Sequence, residues 1–247
     1  MPATRTRRRV LLAAALLVVL SGLAVAAWAR LPASGAAAAK PAGPAGPSVV
    51  AGSGRQNQPV TPHVNLAGLR WRNFYGVELP YSAAGPRYTS GGIAAGFART
   101  PLGALLAAVN IGVRANAQWG PRIFTAVIRG QVTGPDAAVL LANCQAAYGQ
   151  ASQSDGVTGG QPLGDVDVTE EAFRWVTYTP AAAIIELVSA GPGPQGTTVR
   201  ASTQIQAVWA GGDWKVIAPP GGDWGSAATA LSSLRGYTAF PGLGGGR

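Results

Sequence analysis

Apolar and polar positions change their period partway along this chain. The first twenty positions that stand out, residues 10–29, have no period at all: VLLAAALLVVLSGLAVAAWA is uncharged throughout. At about 1.5 Å per residue such a run spans roughly 30 Å as a helix, the thickness of a bilayer's hydrocarbon. Residues 31–62 then lack both aromatics and periodicity, and read as a flexible linker. Aromatic and branched residues arrive together at Leu69, Trp71, Phe74, Tyr75, Val77 and Leu79. Pro80, Gly85 and Pro86 break this segment, which reads as an edge strand and loop.

A helical period follows. Thr100 can cap and Pro101 suits the first helical position; Leu102, Leu105, Leu106, Val109 and Val113 then recur at helical spacing. Gly112 weakens the end of this helix, and Trp119-Gly120-Pro121 makes a corner. A short second helix carries Ile123, Phe124, Val127 and Ile128, and Gly130 is expected to stop it. Pro135 and Asp136 open a third, with Leu140, Leu141, Cys144, Ala147 and Tyr148 on its apolar face. Residues 149–164 read as a polar, Gly-rich loop.

Beyond that loop the period is two. Phe173, Trp175 and Thr177 alternate with Arg174, Val176 and Tyr178, and Pro180 interrupts. Ile184 to Val188 predicts a second strand, and Thr198 to Ala210 a third. In the third, Val199, Ala201, Thr203, Ile205, Ala207 and Trp209 form the face expected to be buried. Thr198, Arg200, Ser202, Gln204 and Gln206 form the wet one. Gly211-Gly212-Asp213 turns the chain into a partner strand, Trp214 to Ile217. Ser226 to Leu234 predicts a last helix. Segregated helices and strands give an α+β class: three helices, a four-stranded antiparallel meander, then a short helix.

Composition and charge refine this picture. The 247 residues hold 35 Gly and 19 Pro, with only 12% charged residues. One Cys excludes an intramolecular disulfide framework and a Cys-based zinc site. The formal charge of +9 sits mostly at the N-terminus. Arg5, Arg7, Arg8, Arg9, Arg30, Lys40 and Arg55 face no acid before residue 56. The remainder is close to neutral, so no direct nucleic-acid partner is expected.

Arg7, Arg8 and Arg9 before the apolar run place the N-terminus inside and the bulk of the chain outside. The expected organisation is a cytoplasmic basic arm (1–9), a transmembrane helix (10–29) and an Ala/Gly/Pro-rich linker (30–64). An extracellular α+β domain (65–241) and a Gly-rich tail (242–247) follow. The rival reading of 10–29 is a signal peptide cut after Ala27-Trp28-Ala29, which would release a secreted protein.

Candidate chemistry is sparse. The single His, His63, lies at the linker's edge, too isolated for a Ser-His-Asp site. Gly191-Pro192-Gly193-Pro194-Gln195-Gly196 matches a dinucleotide fingerprint in letters, but two prolines and a strand-to-strand position argue against a helix there. Asp165, Asp167, Glu170 and Glu171 cluster as a calcium set or, more simply, as a solvated loop and strand start. Glu186 is the one candidate for a buried carboxylate base. Its simpler reading is exposure on an edge or pairing with Arg174 or Arg200. Cys144 reads as a buried hydrophobe rather than a reactive thiol. No catalytic, cofactor-binding or metal-ligating residue is assigned, and no enzyme or cofactor is expected.

The hairpin Val208-Trp209-Ala210-Gly211-Gly212-Asp213-Trp214-Lys215-Val216 is similar to the last hairpin of nuclear-transport-factor-two-like (cystatin-like) domains. That resemblance implies helices packed in a cone on a curved antiparallel sheet. Trp71, Gly76-Val77-Glu78-Leu79-Pro80-Tyr81-Ser82, Gly85-Pro86, Gly96 to Ala104 and Ala107-Ala108 are similar to a pattern in membrane-anchored actinobacterial proteins, some found beside conjugation genes. Arg99 departs from it, where such proteins often carry His or another polar residue. The layout of arm, span, linker and external domain also resembles the scaffold proteins of conjugation and type IV secretion. It implies a non-enzymatic, self-associating component at the plasma membrane, with other transfer-apparatus membrane proteins as partners. The alternative is a surface binding module for a small apolar ligand or a cell-wall component.

Overall fold

The computed structural model describes residues 61–242. The expected span, most of the linker and residues 243–247 lie outside the described residues. Among the described residues no helix is long and apolar enough to cross a membrane.

Among the described residues the architecture is mixed α+β, with three helices and a curved seven-stranded sheet. Two hairpins come first, where the sequence suggested one edge strand and a loop. β1 (Arg70–Phe74) pairs with β2 (Val77–Tyr81), and β3 (Tyr88–Ser90) with β4 (Ile93–Ala95). Tyr75 and Gly76 turn the first hairpin at positive φ, and Gly91 and Gly92 the second. The breakers Pro80 and Gly85 therefore sit within and after a strand rather than ending all pairing.

α1 (Pro101–Arg114) begins as expected, with the Thr100 hydroxyl accepting from the Gly103 N–H at 3.1 Å. It runs straight through Gly112. Twelve of its fourteen residues are buried. Gly103 is required by a close approach, since an added Cβ would collide with the Ala98 carbonyl oxygen. After Gly120 turns at φ 77°, α2 (Pro121–Gln131) passes through Gly130, which was expected to stop it. Its last residue, Gln131, is held by its side chain on the backbone of Ala94 in β4. β5 (Val132–Thr133) leads to α3 (Ala137–Asp155), one turn and more longer than the sequence suggested. Gly149 to Asp155 are helical, and the stop is Gly156 in the left-handed region.

β6 (Thr169–Tyr178), β7 (Ala182–Pro192), β8 (Thr198–Ala210) and β9 (Asp213–Ile217) form the expected antiparallel meander. Both β6 and β7 exceed the lengths read from the sequence. The Gly211-Gly212 turn has both residues at positive φ. β5 adds to β9 in parallel. The expected C-terminal helix is absent: a 3-10 turn at Trp224–Ala227 opens into β10 (Ala228–Leu231), which pairs with β8. β9 covers only the Gln206–Ala210 part of that edge of β8, so its Arg200–Thr203 part is open to β10. Completing this edge satisfies backbone groups that a helix over the same residues would leave orphaned. β11 (Thr238–Ala239) then pairs with β6 at the other side of the sheet. Residues 232–237 thus cross β8, β7 and β6 as a strap.

The pairing register assigns two faces to the sheet. Phe173, Trp175, Ile185, Leu187, Ile205 and Ala207 face α1 and join the main core. Arg174, Glu186, Val188, Ser202 and Gln204 face the strap. Val188 and Ser202 are buried there, although Ser202 was expected on a wet face; Val199, expected inside, is exposed. Bulges at Glu171 and Val176 bend β6, which only the two-residue β11 flanks on its outer side.

Candidate functional site

The cluster Asp165, Asp167, Glu170 and Glu171 does not converge. Among the described residues no group of three or more His, Cys, Asp or Glu could hold a metal ion. Because a bulge separates Glu170 from Ala172, Glu170 points to the α1 side, opposite Ser189, and Glu171 to the strap side. Glu171 accepts from Arg200 at 2.6 and 3.1 Å. Glu170 is 2% exposed and takes the Ser189 hydroxyl, which lies 2.9 and 3.0 Å from its two oxygens. Burial without a cation raises this carboxyl to about 7, against the counter-effect of the Ser189 hydrogen bond.

Glu186 is not the buried base candidate. It lies mid-sheet on the strap side, paired with Arg174 at 2.6 Å as its simpler reading expected, and it accepts from Tyr237 at 2.6 Å. Tyr237 also bonds the Ser202 hydroxyl at 3.2 Å, and the Arg174 guanidinium lies 4.7 Å from its ring centre. This network ties the strap to the sheet. Sequence reading missed Glu170 because its neighbours Asp165, Asp167 and Glu171 made it one of a polar run. Only the bulge decides which of the two glutamates turns inward.

The remaining candidates are placed as structure. Cys144 is buried on α3 and its thiol is pushed up to about 12 by burial. His63 is exposed ahead of β1. Gly191 to Gly196 span the end of β7 and a 3-10 turn leading into β8. Arg99 donates to the Pro180 carbonyl at 2.8 Å and lies over Trp209, 5.4 Å from the ring centre.

The surface that stands out is α3. Residues 137–154 contain no charge. Only Leu140, Cys144 and Tyr148 of its nineteen residues are buried. One flank is held: Asn143 donates to Gly221 and Gly222 carbonyls at 3.2 and 2.9 Å, and Gly222 sits so close that a Cβ would strike the Val139–Leu140 backbone. Outside that flank Ala138, Val139, Ala142, Gln145 and Ala146 are exposed, with Val139 at 43%. Val139, Ala142 and Ala146 follow one another at i, i+3 and i+7, so they form one uncharged strip of small side chains. Solvated helix faces ordinarily carry charge. A strip like this lets a second helix approach closely.

Residues 30–239 match the family described as Domain of unknown function (DUF8175). The chain belongs to this family. The DUF8175 match begins within the linker and ends in β11, so it takes in every element described above. No curated protein and no solved structure matches the chain.

Proposed function

We propose that this DUF8175 chain is a non-enzymatic, membrane-anchored scaffold. In this reading the N-terminus is cytoplasmic, residues 10–29 span the plasma membrane, and the α+β domain outside assembles with further copies of itself. The one observation that carries the reading is the exposed, uncharged strip of α3. The wider setting, a conjugative or type IV secretion-like apparatus whose other membrane proteins are partners, rests on the resemblance of layout. A nuclear-transport-factor-two-like cone is the finer fold reading. The packing of α1 against the inward face of a bulged sheet supports it.

The test is disulfide trapping in membranes from cells making the full chain. Ala142→Cys and Ala146→Cys should give a crosslinked dimer under mild oxidation, to which the buried native thiol of Cys144 does not contribute. Val176→Cys, on the bulged edge of the sheet, should remain monomeric. Monomer at all three positions, or a dimer only at residue 176, would reject α3 as the contact.

A second reading, a module binding a small ligand, is favoured by a separate observation. Trp175 Nε1 and Thr203 Oγ1 are buried without a hydrogen-bond partner on the same side of the sheet as Glu170. Native mass spectrometry of the purified chain distinguishes it: a retained small molecule that leaves on denaturation supports the binder, and a bare mass opposes it.

A further inference from the structure

Two arginines converge on the β1–β2 hairpin. Arg72 in β1 lies over the Tyr81 ring, 5.0 Å from its centre, and donates to the Thr89 hydroxyl at 3.2 Å. Arg114, in the last turn of α1, lies over the Phe74 ring at 4.5 Å. One asparagine ties Arg114 to this hairpin. Arg114 Nη1 donates to Asn110 Oδ1 at 2.6 Å and to its carbonyl at 3.1 Å, and Asn110 Nδ2 donates to the carbonyl of Pro80, beside Tyr81. Both Arg114 bonds fall on Nη1, which leaves Nε and Nη2 of the fork.

Among the described residues these cations have no anionic partner. All ten acidic side chains of the chain fall among the described residues, and the ion pairs found there use Arg174 and Arg200. Arg114 is 5% exposed. A buried guanidinium beside a second one is costly unless negative charge arrives. The partial negative charge at the α1 C-terminus offsets some of this for Arg114, but Arg72 lies outside the helix. Burial first, and then the Arg72 charge, pull Arg114 down to about 10.

We infer that Arg72 and Arg114 form a binding site for an oxyanion, a phosphate or carboxylate group, walled by Phe74 and Tyr81. Arg114 supplies a fixed fork of donors, positioned by Asn110. Arg72 is exposed and supplies the approach. Phosphate and carboxylate share the chemistry that this pair recognises, so separate probes must tell them apart.

The experiment is calorimetric titration of the detergent-purified full chain with inorganic phosphate and, separately, with acetate, at ionic strength matched by chloride. Saturable binding of one or both is expected, and the tighter probe names the group. Arg72→Gln should weaken it at least about tenfold, the loss of one charge-assisted hydrogen bond. Arg72→Glu places a carboxylate beside Arg114. It should abolish binding and leave the melting temperature unchanged or raised, so misfolding cannot explain the loss. Absence of saturable binding in the wild type, or equal binding in wild type and Arg72→Glu, would overturn the inference.

Discussion

α1 and α3 are built from nearly the same alphabet and meet opposite fates. Each is rich in Ala and Leu, and each carries one ionisable charge, at its C-terminal end. α1 is buried on every side, between the inward face of the sheet and the two N-terminal hairpins. α3 buries a single row, Leu140, Cys144 and Tyr148. The uncharged outer surface of α1 is explained by what covers it. The equally uncharged outer surface of α3 has no such cover among the described residues. Under the proposed self-association, the apolar composition of α3 reports burial between copies, which the fold of one chain does not supply.

Four substitutions sharpen this contrast. The largest effect belongs to α1. Leu105→Ala removes a fully buried side chain and should cost about 2–5 kcal/mol in denaturant unfolding. A loss below about 1 kcal/mol would mean α1 is not the packed centre.

Next is Glu170, on the α1 side of the sheet. Its folded carboxyl ionises near 7 against an ordinary 4.5, so the native state holds this proton more tightly than the unfolded chain does. The contribution is full below about pH 4.5, falls as pH rises towards 7, and is constant above. The loss is on the order of 3 kcal/mol. Glu170→Gln keeps the shape and stays neutral. The variant should lack this fall and be the more stable protein at pH 8. A parallel pH profile for both proteins would refute the buried, cation-free site.

Smaller again is the strap. Arg174 is 45% exposed in its pair with Glu186, so Arg174→Ala should cost no more than about 1 kcal/mol in a thermal melt. The smallest is Val139→Ala on the exposed side of α3, within about 0.5 kcal/mol for the unassociated chain. A large cost there would show that Val139 packs within its own fold.

Much of this architecture is legible in the sequence where local signals agree. Thr100-Pro101, the Gly211-Gly212 turn and the strand Thr198–Ala210 each specify one local answer, and the fold uses it. The failures have physical causes. Residues 228–231 become a strand because a long β8 outruns its partner β9, a non-local fact. The first N-terminal hairpin depends on Tyr75 and Gly76 turning at positive φ, which no spacing announces. Ser202 is buried because the strap returns over it. Of the candidate sites, the pairing of Glu186 with Arg174 is readable from facing positions on neighbouring strands. The inward turn of Glu170 depends on a bulge, and the meeting of Arg72 with Arg114 joins residues from a hairpin and a distant helix end.

The exposed strip of α3 as the contact between copies is tested most directly by sedimentation of the detergent-purified full chain, wild type beside Ala142→Arg. The wild type should sediment as a dimer or larger, and Ala142→Arg as a monomer with an unchanged melting temperature. A monomeric wild type, or an Ala142→Arg variant that associates as the wild type does, would contradict it.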